Sequence, residues 1–119
     1  MSAAQDKLTA ISNLKDNWNG FGAKPFSVET IRFARDIADV LPIEPEIYPL
    51  NSGSILMDLW IKKRNMTLEI SSLPDDVKIR IYEGSVGGYE YEIKTVHEVA
   101  KFVDTWINMK EPQEFPRMS

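Results

Sequence analysis

Asp58 and Glu69 sit in two segments that alternate apolar and polar residues. A carboxylate pair converging on one sheet face can do acid–base work or help hold a divalent cation. Their relation depends on the register between the segments. Ile55, Met57, Leu59 and Ile61 alternate with Leu56, Asp58, Trp60 and Lys62, while Met66, Leu68 and Ile70 alternate with Thr67, Glu69 and Ser71. Pairing Ile61 with Met66 across a polar connection at Lys62 to Asn65 sets Asp58 opposite Glu69. Pairing Ile70 with Val77 sets Glu69 opposite Lys78 and Thr67 opposite Arg80. A solvated ladder of ion pairs accounts for these charges without chemistry, and a metal or acid–base site is the competing reading. Trp60 and Tyr82 fall on the same polar face, where they read as a contact surface or as rings packed against Arg80.

Little else in the chain offers chemistry. His97 is the only histidine and stands second in a helix that starts after Thr95, so it faces solvent and supplies neither a metal cluster nor a triad. The absence of cysteine removes disulfides, thiolate zinc sites and cysteine nucleophiles together, and suits a reducing cytosol. The glycines at Gly84, Gly87 and Gly88 lack the spacing of a dinucleotide fingerprint and the Lys-Ser/Thr of a phosphate loop, so they read as a hairpin connection. Asp75 and Asp76, after Pro74, are ordinary turn formers. No catalytic residue, cofactor or metal is expected.

The elements that position these residues define an α+β domain. Ala4, Leu8, Ile11 and Leu14 recur at helical spacing over about Ser2 to Lys15, with Trp18 continuing the stripe. Ser27 is an N-cap, Phe26 can staple onto Ile31, and Val28, Ile31, Ala34, Ile37, Ala38 and Leu41 carry a second helix up to Pro42. Three period-two strands then form an antiparallel meander, and Tyr89 to Lys94 reads as a fourth strand. Glu46 to Tyr48 would make a fifth, short edge strand. Thr95 and Glu98 form a capping box ahead of Val96, Val99, Phe102, Val103, Trp106 and Ile107, a C-terminal helix that packs on the sheet. A single domain over residues 1–109 and a loose tail over 110–119 follow.

With 119 residues and 43% hydrophobic content, the chain has room for one core. Its net charge of −4 disfavours general nucleic-acid binding. No apolar run approaches the roughly 18 residues of a membrane span, and Asp6, Lys7 and Asp16 interrupt any signal-peptide core. A cytoplasmic protein is expected, and a strand edge of the meander could pair two copies into a homodimer.

The most specific stretch is residues 16–27, where Trp18 and Phe21 are interleaved with Gly20 and Gly22 just before a helix start. Trp18 could close the base of the core, with the glycines folding the backbone over its ring. Phe21, Lys24, Asn17 and Asn19 could present a rigid, partly apolar edge to a partner, and the two roles are compatible, Trp18 inside and Phe21 outside.

Trp18-Asn19-Gly20-Phe21-Gly22-Ala23-Lys24-Pro25 resembles the Trp-(Asp/Asn)-Gly-(Tyr/Phe)-Gly-Ala-x-Pro signature of a group of small bacterial and phage proteins. Gly53-Ser54-Ile55, Met57-Asp58-Leu59 and Leu68-Glu69-Ile70 are similar to that group's following strands, with Trp60 one place later than its usual Trp. The resemblance implies a phage or mobile-element setting and no reaction. The leading expectation is a non-enzymatic module that docks on a larger protein, such as a host-defence effector or nuclease, as an inhibitor, antitoxin or immunity protein. Its contact residues would be Asn17, Asn19, Phe21, Lys24, Asp58, Trp60, Glu69 and Tyr82. A small-ligand or nucleotide-binding domain, with Trp18 or Phe21 stacked on a ring and Lys24 near an anion at the second helix, is the alternative. An enzyme using Asp58 and Glu69 with a divalent cation is the remaining one.

Overall fold

A computed structural model describes residues 2–61, 64–71, 77–83 and 86–108, with side chains at all of these except 82–83 and 86–89. The expected turn at Asp75 and Asp76, the glycine at Gly84 and the expected tail over 110–119 lie outside the described residues. The elements run α1 (Ala3–Ser12), α2 (Val28–Val40), β1 (Glu46–Pro49), β2 (Ile55–Ile61), β3 (Arg64–Ile70), β4 (Val77–Glu83), β5 (Val86–Ile93) and α3 (Val96–Ile107). The strands form one antiparallel sheet in sequence order, so the chain is an α+β meander with helices before and after the sheet.

Local sequence explains each helix start. The hydroxyls of Ser2, Ser27 and Thr95 accept from the backbone N–H three residues on, and the Thr95 hydroxyl in turn donates to Glu98 Oε1 at 2.8 Å. Glu44 adds a long-range cap by accepting from the Ala4 N–H at 2.6 Å, placing a carboxylate at the positive end of α1. α1 stops at Ser12 rather than Lys15, because the N–H groups of Asn13 and Leu14 turn back to the carbonyls three residues earlier. Trp18 is therefore not on the helical stripe and reaches the core from the loop.

The helices cover one face of the sheet. Leu8, Ile11, Ala34, Ile37, Val99, Phe102, Val103 and Trp106 pack with Ile55, Met57, Leu59, Met66, Leu68, Ile70, Val77 and Ile79 in a single core cluster. Burial of this apolar area, at roughly 25 cal/mol per Å², is the main stabilising term. The opposite face carries the polar half of each alternating strand, and none of the helices among the described residues packs on it.

The observed register changes one expectation. β3 and β4 pair as anticipated, Ile70 with Val77, Glu69 with Lys78 and Thr67 with Arg80. β2 and β3 instead pair Ile61 with Arg64, so Asp58 lies opposite Thr67 and Glu69 opposite Leu56. The carboxylates of Asp58 and Glu69 therefore do not face each other across the strands. Arg64 extends the ladder because its charge is accommodated at the rim of the covered face. Its guanidinium lies 5.0 Å from the centre of the Trp106 ring and donates to the Trp106 carbonyl at 2.9 Å.

β5 also begins earlier than expected, at Val86. Ile81 pairs with Tyr89 but Glu83 with Val86, so Gly87 and Gly88 together oppose Tyr82 in a bulge. The glycines read from sequence as a loop are thus mostly strand.

Candidate functional site

Two surfaces carry the residues singled out from sequence, and the structure does not merge them. The first is the loop between α1 and α2. Asn17, Gly20 and Gly22 have φ of 63°, 77° and 86°, the left-handed region that favours Gly and tolerates Asn. A Cβ built on Gly20 or Gly22 would meet nothing within 4 Å, so backbone conformation rather than crowding demands glycine there.

The loop's own carboxamides hold this shape. Asn17 Oδ1 accepts from the Gly22 N–H at 2.6 Å, and Asn19 Oδ1 accepts from the N–H groups of Phe21 at 2.8 Å and Ala23 at 3.1 Å. The Asn17 N–H donates to the Ala23 carbonyl at 2.7 Å, closing the base of the loop. Asn19 Nδ2 donates to Asn51 Oδ1 at 2.9 Å and ties the loop to the β1–β2 turn. Trp18 packs its ring 5.8 Å from that of Phe26 and donates from Nε1 to the Lys24 carbonyl at 3.0 Å.

This loop divides the roles of its two large aromatics. Trp18 packs against the core, whereas Phe21 is 91% exposed. Asn17 and Asn19 turn their oxygens inward to the backbone. Lys24 forms an ion pair with Asp16 at 3.2 Å, with both side chains largely in water, so the pair adds little stability.

The second surface is the helix-free sheet face. Its rungs, read from the backbone register, are Tyr48–Leu56–Glu69–Lys78–Glu92, then Glu46–Asp58–Thr67–Arg80–Glu90, then Trp60–Asn65–Tyr82. Asp58, Trp60, Glu69 and Tyr82 thus share a face, with Tyr82 placed by its backbone alone. Arg80 binds Glu69 at 2.8 Å and Glu90 at 3.1 Å, forming the expected ladder, and its bond to Glu69 is the chief cause of a raised pKa. Trp60 is 55% exposed and Tyr48 41%.

β1 adds residues that sequence reasoning did not single out. Glu46 lies directly opposite Asp58, so a pair of facing carboxylates does exist, across β1 and β2. The phenol of Tyr48 donates to Glu46 Oε2 at 2.6 Å. That hydrogen bond, followed by desolvation and the charges of Glu46 and Asp58, raises the Tyr48 pKa above its ordinary value. Asp58 accepts from the Thr67 hydroxyl at 2.8 Å. The alternation Glu46-Ile47-Tyr48 held this signal, but it becomes readable only once β1 is given a register against β2.

Among the described residues, no group of three or more His, Cys, Asp or Glu could hold a metal ion, and no helix is long and apolar enough to cross a membrane. His97 is exposed on α3. A cleft of about 280 Å³ beside the start of α2 is lined by Gly22, Ala23, Lys24, Pro25, Ser27, Asn51, Ser52 and Gly53, without the ring of Trp18 or Phe21. Compared with protein-family models, curated proteins and solved structures, the chain matches none.

Proposed function

We propose that this chain is a non-enzymatic protein-binding module that docks on a larger protein, in the manner of an inhibitor or immunity protein. The observation that carries the reading is Phe21, 91% exposed at the tip of a loop whose backbone is fastened by Asn17 and Asn19. A large ring left in water on a pre-shaped support is what a buried interface anchor needs, because little ordering entropy remains to be lost on binding. The resemblance of Trp18 to Pro25 to small bacterial and phage proteins supports a mobile-element setting, with a host-defence effector or nuclease as the kind of target.

Two other readings have less support. Stacking of a small ligand on Trp18 or Phe21 would need a cleft containing one of those rings, and the cleft beside Lys24 contains neither. A cation-dependent reaction at Asp58 and Glu69 would need them to converge, and Glu69 is instead held by Arg80.

Affinity capture from the native host with the full chain as bait, read by mass spectrometry, tests the proposal. A stoichiometric protein retained by the native chain and lost with Phe21→Ala, while the variant keeps its melting temperature, is the expected result. Failure to retain any stoichiometric protein, or retention unchanged by Phe21→Ala, would count against it.

A further inference from the structure

The helix-free sheet face has an uneven charge distribution. Glu69 and Glu90 share ion pairs with Arg80, and Lys78 stands opposite both Glu69 and Glu92. Glu46 and Asp58 have no ion-pair partner among the described residues, only one hydroxyl donor each, from Tyr48 and Thr67. Like charges placed directly opposite on neighbouring strands oppose folding, so this end of the sheet carries an uncompensated cost. A carboxylate accepting one hydrogen bond also retains free acceptor capacity.

The surroundings of this pair are apolar and aromatic. Asp58 lies between Leu56 and Trp60 on the outward side of β2, and Glu46 lies two residues before Tyr48 on the outward side of β1. Exposed rings beside unneutralised carboxylates suit a guanidinium or ammonium group, which can hydrogen-bond the acids while resting on a ring face. A divalent cation fits less well, since it would need several more oxygen ligands. Lys7 of α1 lines a cleft of about 360 Å³ with Glu44, Glu46 and Tyr48, between α1 and β1. It forms no ion pair with either acid.

We infer that the β1–β2 end of the open sheet face, formed by Tyr48, Leu56 and Trp60 around Glu46 and Asp58, is a docking surface for a protein partner presenting an arginine or lysine side chain. This rests on the protein-binding reading and adds the chemistry of the partner: a basic surface, engaged at a place separate from Phe21. Complementarity of charge selects that occupant, because among the described residues neither Glu46 nor Asp58 is ion-paired and the rings of Tyr48 and Trp60 beside them are about half exposed. Blunting of the β1 edge against self-pairing explains Glu46 alone but gives no reason for a second acid opposite it.

The test uses ¹⁵N-labelled full-length chain titrated with a glycine-spaced peptide containing two arginines, and with the same peptide carrying glutamines instead. With the arginine peptide, the Trp60 indole and the amides of residues 46, 48 and 58 should shift saturably, and the shifts should weaken as salt is raised. The double substitution Glu46→Gln with Asp58→Asn should cut the affinity at least tenfold while melting at the same temperature or a few degrees higher. Phe21→Ala should leave peptide affinity within twofold. The inference is overturned by equal shifts with the glutamine peptide, by shifts centred on Glu90 and Glu92, by no shift at all, or by unchanged affinity in the double variant. In those cases Phe21-dependent capture of a host protein would still support the protein-binding reading. Arginine-selective shifts without any captured partner would sink that reading alone.

Discussion

Replacing Phe21 by Ala separates anchoring from folding. A buried aromatic side chain removes roughly 150–250 Å² from water, but about a tenth of Phe21 is covered here, which at about 25 cal/mol per Å² contributes about 0.5 kcal/mol. The same truncation at a core ring such as Phe102, 5% exposed, costs about 3–5 kcal/mol. Phe21→Ala should therefore lower the melting temperature by no more than about 2 °C, while a true interface anchor would lose at least about 2 kcal/mol of binding, roughly thirtyfold. Asn19→Ala should behave in the opposite way. It removes the acceptor for the Phe21 and Ala23 N–H groups and the link to Asn51, at about 1–2 kcal/mol for bonds partly replaced by water. Urea unfolding followed by circular dichroism measures both, and amide hydrogen exchange at Phe21 and Ala23 reports the loop directly. Exchange should accelerate in Asn19→Ala and stay unchanged in Phe21→Ala. If Phe21→Ala lost more than about 2 kcal/mol of stability, the ring would be packed in solution and the argument for an anchor would fail.

Trp106→Ala should destabilise by about 3–5 kcal/mol or prevent folding, whereas Trp60→Ala, with about half of its ring in water, should cost about 2 kcal/mol; thermal unfolding of the two variants distinguishes a fully buried ring from a half-exposed one. Ser27→Ala should cost about 1 kcal/mol by removing the α2 cap that the Thr30 N–H uses, and Ser27→Gly less, as read by denaturant midpoints. Ultraviolet titration of the four tyrosines should show Tyr48 ionising late, with Glu46→Gln bringing it back toward its ordinary value of 10.0. Because the folded state favours the neutral phenol, its contribution to stability is complete below the unfolded pKa and disappears as the pH rises through the raised one.

Local signals carried most of the architecture. Ser27 and Thr95 were legible as caps because a hydroxyl before an apolar helical stripe has few other uses, and the β3–β4 register followed from matching apolar faces at Ile70 and Val77. The β2–β3 register was less legible because Arg64 looks like a turn residue until Trp106, remote in sequence, is brought beneath it. Gly87 and Gly88 misled for a related reason, since a bulge spends glycines as a loop does. At the candidate site, Phe21 outside and Trp18 against the core is an arrangement legible in the sequence. The use of Asn17 and Asn19 as internal braces is not, because it depends on backbone N–H directions that only a folded loop defines. Glu46 to Tyr48 is legible as a short edge strand but not as part of the site, because four residues do not fix the register that sets Glu46 opposite Asp58.

The placement of α1, α2 and α3 on one side of the sheet has a bearing on how such a protein can change over generations. Burial is concentrated in the layer between helices and strands, so the exposed outward positions of the strands can be exchanged at smaller thermodynamic cost than the inward ones. A lineage can thereby vary the exposed outward side chains one at a time while the buried scaffold is inherited intact.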